Sequence, residues 1–531
     1  MKSVAPLLFF AIAVAAPISG RAQTGRIDAF GDPLPAGALA RIGTIRTGNA
    51  TPPNFEPLSG VRSLVFSPDG KQIATYGEPG NPNTPRSIRL WNAETGKSAG
   101  RFTAYDGLIN TLAFSPDGRL LLACTPGHPR GTQLWDVTTG KLQHAFDGGK
   151  GKASFTPDGN RVAVVARFQS ADVIRVHDVR TGNEVQRFVV ELSDRQEFSR
   201  DGTRLLVVRS DRDTQLRVYD VRTGNEQLKL TGSQSSPRAL TFAPDGHTVA
   251  VGDGNEVLLW ELATGQTVHR LTGHTGRVLR IAFSDDGRRI VSAGTDKTIR
   301  VWELATGKEL HRFEGHRSLV TALAFSRDGS RLASGSFDRT AIVWDLAATK
   351  QSLLPSEPPN DESLLAIWHA LASGQPADAY QAIGRVERAD AVAVSFLKKQ
   401  IEEILVPVQA ERIKDLIAQL DHADFVIRHR AMIALRKLRE VARPALLKTL
   451  EKSITAEARA RIRRILSGAD EAPRFSEADV RRMLRVIHVA GHVGSKDARS
   501  ILETIIRDFP NRTVVGEAEK TLVRLKNPAA S

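Results

Sequence analysis

The sequence predicts a two-part chain: a closed ring of seven small β-sheets, then an all-α domain. Three observations carry this reading. A five-residue turn, Phe-Ser-Pro-Asp-Gly and close variants, recurs seven times, with its phenylalanine at Phe66, Phe114, Phe155, Phe198, Phe242, Phe283 and Phe325. Successive copies lie 41 to 48 residues apart, the length of one four-stranded propeller blade. From about residue 362 the apolar period changes from that of strands to that of helices.

The N-terminus comes first. Lys2, the apolar run Val4 to Ala16, and the small residues Gly20 and Ala22 around Arg21 have the outline of a secretory signal, with cleavage expected after Ala22. The run is too short for a membrane anchor and meets Pro17. Residues 1–22 therefore read as a signal, and the chain is expected to be exported, periplasmic or extracellular. Residues 23–38 read as a linker. Cys124 is the only cysteine, so no internal disulfide can form and an exported chain must fold on its core alone.

Each repeat carries a second landmark about twenty residues past its phenylalanine: Trp91-Asn92, Trp135-Asp136, His177-Asp178, Tyr219-Asp220, Trp260-Glu261, Trp302-Glu303 and Trp344-Asp345. In the sixth unit, Val278 to Phe283 reads as a strand, Asp285-Asp286-Gly287 as a turn, and Arg289 to Ser292 as a second strand. Thr298 to Trp302 follows, and Thr306-Gly307 turns into Glu309 to Phe313. One such sheet cannot cover both its faces, whereas sheets stacked radially cover each other. Residues 39–350 are thus expected to form a seven-bladed β-propeller. Ala40 to Arg46 lies where a missing fourth strand would be, and is expected to complete the last blade and remove the open edge.

This stretch resembles the WD-repeat family, most strongly in the last two repeats. There Gly273-His274 and Gly315-His316 match the family's Gly-His, and Trp302-Glu303 and Trp344-Asp345 its Trp-Asp. The resemblance implies two polar networks, His274, Ser292, Asp296 with Trp302, and His316, Ser334, Asp338 with Trp344. Each would satisfy polar groups that blade packing buries. They mimic Ser-His-Asp triads, but duplication in adjacent blades argues for structure. The layout also resembles a group of large bacterial WD-repeat proteins with a helical tail, mostly of unknown activity.

Residues 351–361, with three prolines, read as a second linker. Residues 362–531 read as helical: Ile413, Leu416, Ile417 and Leu420 share one face, as do Ala431, Ala434, Leu435 and Leu438, and Val480, Met483, Leu484 and Ile487. Pro444 suits a first-turn position. Residues 413–468 resemble a HEAT-type repeat through Asp424, Ile427, Arg428 and Ala431, and flanking copies would make an α-solenoid of about eight helices. An irregular bundle is the alternative. Arg459, Arg461, Arg463 and Arg464 crowd one helix and Arg481, Arg482 and Arg485 another, a candidate anion-binding face if not simply a solvated one.

The formal net charge is +14, which favours anionic partners as well as solubility. No Gly-x-Ser-x-Gly elbow is present, and Gly148 to Lys152 lacks phosphate-loop spacing. His488 and His492 fall four apart on a helix and read as an ordinary exposed pair before a metal site. No catalytic, cofactor or metal residue is assigned. The sequence therefore points to a non-enzymatic protein–protein interaction scaffold. The alternatives are binding of an anionic polymer or membrane surface through the basic tail, and a hydrolase at the propeller channel. Export disfavours nucleic acid.

Overall fold

The computed structural model describes, apart from short interruptions, residues 27–43, 58–79, 87–349, 360–404, 410–467 and 475–526; the signal segment 1–22 lies outside them. Twenty-eight strands, β1 to β28, form seven antiparallel four-stranded sheets. Blades 1 to 6 span residues 58–103, 111–146, 153–190, 195–230, 239–271 and 278–313. In blade 7 the strands Val320–Phe325, Arg331–Ser336 and Ala341–Asp345 are completed by β1, Ala38–Ile42, paired antiparallel with the last of them. This strand starts and stops earlier than the 40–46 segment of the sequence reading. Gly43 ends it with φ 88°, where a Cβ would sit 2.5 Å from the Arg339 carbonyl oxygen.

Strand period explains the ring. Ile290 faces the core shared by blades 5 and 6, and its neighbour Val291 the core shared by blades 6 and 7. Likewise Leu332 faces blade 6, while Ala333 faces Val61, Leu64 and Phe66 of blade 1. Every junction between consecutive blades, including 7 to 1, has its own buried apolar cluster, so the circle is closed. Cys124 is buried in one of them.

The repeated turn has a defined chemistry. Ser67 Oγ donates to Asp69 Oδ1 at 2.5 Å, Asp69 accepts from the Lys71 amide, and the Gly70 amide closes onto the Ser67 carbonyl. The turns also stack. A Cβ on Gly118 would lie 3.3 Å from Pro68 Cδ, and one on Gly159 3.3 Å from Pro116 Cδ. Each glycine thus packs on the proline one blade earlier. Where later copies lack this contact, arginines bridge the turns: Arg204 donates to the Gly246 carbonyl at 2.5 Å and Arg289 to that of Gly329 at 2.7 Å.

Described residues of the 23–38 segment pack against the ring. Arg41 and Asp28 form a buried ion pair at 2.8 Å, and a Cβ on Gly315 would meet Pro35 at 2.6 Å.

Ten helices follow among the described residues: α1 Asp361–Ala370, α2 Pro376–Ala389, α3 Ala391–Ile404, α4 Ala410–Gln419, α5 Phe425–Lys437, α6 Arg439–Leu450, α7 Ala456–Ser467, α8 Glu477–Val493, α9 Lys496–Asp508 and α10 Arg512–Lys526. They do not form one solenoid. Helices α4 to α7 have their own core around Ile413, Leu435, Leu446 and Ile462. Helices α1 to α3 and α8 to α10 share a core with blades 5 and 6, through Trp368, Ile383, Met483, Ile487 and Leu304. The HEAT-like stretch is therefore an insertion with a separate core. Pro444 lies within α6 rather than in its first turn, because the helix begins at Arg439. Helix α8 starts at a Ser476–Asp479 capping box and stops at Gly494, φ 64°. No helix among the described residues is long and apolar enough to cross a membrane.

Candidate functional site

The two ends of the strands make two different faces. Turns such as Ser67–Gly70 gather on one, with the Thr-Gly turns, where Asp136 Oδ1 accepts from the Thr139 amide at 2.7 Å and the Thr139 hydroxyl at 2.8 Å. The helical domain sits on this turn face, over blades 5 and 6. Arg485 of α8 is buried, and forks onto Glu261 with bonds of 2.8 and 2.9 Å while donating to the Leu371 and Ser373 carbonyls. Tyr380 bonds to Thr248, and Arg204 reaches Glu517 of α10 at 3.0 Å. A Cβ on Gly384 of α2 would lie 2.2 Å from that of Ala305, so only glycine lets α2 approach this closely.

His488 and His492 are not an exposed pair. Both turn into the joint and place Nε2 at 2.9 and 3.2 Å from Asp245 Oδ2, in the turn of blade 5. Burial opposes ionisation of Asp245, but the charges and hydrogen bonds of His488 and His492 hold its carboxyl well below the usual range. Two imidazoles and a carboxylate within 4.8 Å of one another are a ligand set that could hold a divalent ion. His247 stacks on His488 at 5.2 Å between centroids. Desolvation lowers its pKa to about 4, against the opposing pull of Asp245 and Glu517.

The two His-Ser-Asp-Trp sets are each assembled. His274 Nδ1 lies 2.8 Å from Asp296 and its Nε2 2.7 Å from Ser292 Oγ, which accepts from the Trp302 indole at 2.9 Å. The corresponding distances for His316, Asp338, Ser334 and Trp344 are 2.8, 2.7 and 2.7 Å. Both serines have no exposed surface and already accept an indole proton, so no substrate can reach them. Burial raises the Asp296 and Asp338 carboxyls, and the bonds from His274 and His316 outweigh it, bringing both down to about 2.

The seven arginines of the tail do not share a face. Arg485 is inside the joint, Arg482 lies 4.7 Å from the Trp368 ring centroid, Arg481 pairs with Glu477, and Arg461 bonds to Glu457 and to the Leu420 carbonyl. Arg463 and Arg464 are exposed and Arg459 half-buried. Helical spacing placed these side chains, but not the partners that neighbouring elements bring to them.

The opposite face holds what the sequence reading missed. A cavity of about 730 Å³ opens where the innermost strands begin, and every blade contributes to its wall, Asn110 for blade 2 and Thr321 for blade 7. It is the mouth of the axial channel. Among the described residues six cations line it, Arg62, Lys152, Arg195, Arg238, Arg277 and Arg280, with Glu197 as the one carboxylate. Glu197 bonds Lys152 at 2.7 Å. Desolvation and the nearby charge of Arg195, only partly offset by Glu197, lower the Arg280 pKa to about 10. The sequence did carry a signal. A basic residue stands three or four positions before the landmark phenylalanine in five repeats, at Arg62, Lys152, Arg195, Arg238 and Arg280.

With both faces described, the comparisons place the repeat. The model of the WD domain, G-beta repeat, matches residues 96–136, 265–303 and 307–345. The ring is a seven-bladed propeller that carries WD40 repeats in three of its stretches. Among similar proteins are the intraflagellar transport protein 122 homolog of Danio rerio, 40% identical over 59 residues, 11% of this chain and 5% of that one. The periodic tryptophan protein 2 homolog of Neurospora crassa is 37% identical over 71 residues, covering 12% and 8%. Human apoptotic protease-activating factor 1 is 26% identical over 132 residues, covering 23% and 10%. The chain spans a tenth or less of the length of these relatives, so the likeness is one of WD40 repeats alone. The match at 96–136 adds the repeat that ends in Trp135-Asp136, which has no Gly-His at the position where the last two repeats carry theirs.

Proposed function

We propose that the chain is a non-enzymatic protein–protein interaction scaffold that presents the channel-mouth face of its propeller to a partner. The observation that carries this is the division of labour between the faces. The chain's own helices occupy the turn face over blades 5 and 6 through desolvated, paired charges, while no described helix contributes to the lining of the mouth. WD40 propellers as a class dock other proteins, in keeping with this reading. A hydrolase at the channel needs clustered carboxylates and histidines, and the described lining of the mouth holds one carboxylate and no histidine. An anionic surface on the tail is disfavoured by the internal partners of Arg461, Arg481, Arg482 and Arg485.

The N-terminal pattern from Lys2 to Ala22 adds the proposal that the scaffold works after export. N-terminal sequencing of the purified natural protein should begin at Gln23; a start at Met1 would remove this part. The scaffold itself is tested by chemical cross-linking of the full chain in an extract of its source, read by mass spectrometry. Cross-links from Lys152 and the loops beside Arg238 and Arg277 to a second protein are expected. Cross-links confined to the helices, or none to any protein, would sink the reading.

A further inference from the structure

We propose that Asp245, His488 and His492 bind a divalent metal ion of the zinc class, which staples helix α8 to blade 5. The inference goes beyond the scaffold reading and does not depend on it. His488 and His492 are four apart on α8, so both rings leave one helix face, the spacing of a helical histidine pair that binds zinc. Their Nε2 atoms lie 2.9 and 3.2 Å from the same oxygen, Asp245 Oδ2. Ligand atoms around a tetrahedral zinc ion stand about 3.3 Å apart when their bonds to it are roughly 2.0–2.1 Å. Both measured separations are within a few tenths of an ångström of that value. Imidazole with carboxylate suits zinc and its neighbours rather than magnesium or calcium.

The turn of blade 5 is altered in a way that frees its aspartate for this role. In blades 1, 2, 3, 6 and 7 the turn aspartate accepts from a hydroxyl two residues before it, on Ser67, Ser115, Thr156, Ser284 and Ser326, at 2.5 or 2.6 Å. Blade 5 has Ala243 at that place, the one alanine among the seven copies. Asp245 Oδ1 still accepts from the His247 amide at 2.8 Å, which anchors the carboxylate with Oδ2 turned to α8. The His488 ring is held as well, against His247 at 5.2 Å and Tyr380 at 5.7 Å between centroids.

There is room for an ion and a way in. A Cβ on Gly287, in the turn of blade 6, would lie 2.8 Å from His492 Nε2, so glycine keeps one side of that nitrogen clear. A cavity of about 20 Å³ lined by Gly287, Tyr380, His488 and His492 adjoins the site. That is the space of a single water molecule, which could serve as a further ligand. A larger opening, of about 370 Å³, reaches Asp245 and His492 from solvent. On its wall Arg288 and Arg499 oppose a cation, and Asp285 and Asp286 favour one, so the field is mixed and the ligands decide. Asp245 and His488 are buried, which puts the ion inside the joint and couples its affinity to docking of the helices.

The test uses the full chain, freed of metal by a chelator and titrated calorimetrically with zinc chloride alone. About one equivalent should bind, and excess magnesium should not compete. Asp245→Asn and His492→Ala should each weaken binding by about tenfold or more, while His429→Gln, at an exposed histidine of the insertion, leaves it unchanged. Zinc should slow proteolysis of residues 362–526 in the unaltered chain and not in Asp245→Asn. A variant could lose the joint and so lose zinc indirectly. The ligands are therefore also read on the unaltered chain, from the X-ray absorption fine structure of its zinc-loaded form, where two imidazoles and one carboxylate are expected. No zinc uptake, uptake that Asp245→Asn and His492→Ala leave unchanged, or a coordination shell without two imidazoles would overturn the proposal.

Discussion

The two faces of the propeller are made by the same strands and solve opposite electrostatic problems. Where the helices meet the turn face, charges are paired across the joint: Arg485 with Glu261, Asp245 with His488 and His492, Arg204 with Glu517. Among the described residues, six cations and one carboxylate line the channel mouth. The joint matches its charges within the chain, while the described lining of the mouth is mainly cationic. The difference separates scaffold from surface without reference to any relative.

Breaking the matched face should cost most. Arg485→Ala strands Glu261 in a desolvated joint, and should destabilise docking of the helices by about 3–5 kcal/mol, read as early proteolysis of residues 362–526 while the propeller still melts cooperatively. Changing both residues to methionine should recover most of that loss; no recovery would mean the joint depends on more than this pair.

Acid should loosen the same face. The His247 pKa is about 4 in the fold, against roughly 6.5 in an unfolded chain. The unfolded chain therefore binds the extra proton, and stability falls as pH drops from about 6.5 to 4, by roughly 3 kcal/mol at most. Asp245, held well below 3.8, contributes stability that is present above that value and lost only at lower pH, so it does not offset the trend. Denaturant melts across this window should show the decline, and His247→Phe should flatten it.

Within the blades the effects are smaller. Ser292→Ala leaves the Trp302 indole and His274 without their shared partner, at a cost of about 1–3 kcal/mol, measured by thermal melting. Gly118→Ala forces a side chain to φ 75° against Pro68 and should cost about 1 kcal/mol. Neither should change binding at the mouth, which would sharpen the distinction between the faces.

The ring was legible because its signals repeat. Phe-Ser-Pro-Asp-Gly encodes a local turn, and seven copies report seven blades whatever surrounds them. The close variants of that turn carry structure of their own: Arg200 and Asp285, which replace its proline in blades 4 and 6, form an ion pair at 3.1 Å. The joint was not legible, because the spacing of His488 and His492 gives a helix face and not the blade it meets. Arg485 looked like one member of a basic stripe for the same reason. The basic position before five of the seven phenylalanines was in plain view, but its meaning depends on ring closure bringing blades 1 and 6 to one axis.

The most direct test is hydrogen exchange at one turn in different settings. The amides of Gly70, Gly118, Gly246 and Gly287 make the same bond, 2.8 to 2.9 Å to the carbonyl three residues before, but only the last two lie beneath the helices. Exchange at Gly246 and Gly287 should be markedly slower than at Gly70 and Gly118 in the full chain, and should approach it in Arg485→Ala. Equal rates at all four in the unaltered chain would contradict the claim that the helices seal the turns of blades 5 and 6 and leave those of blades 1 and 2 open.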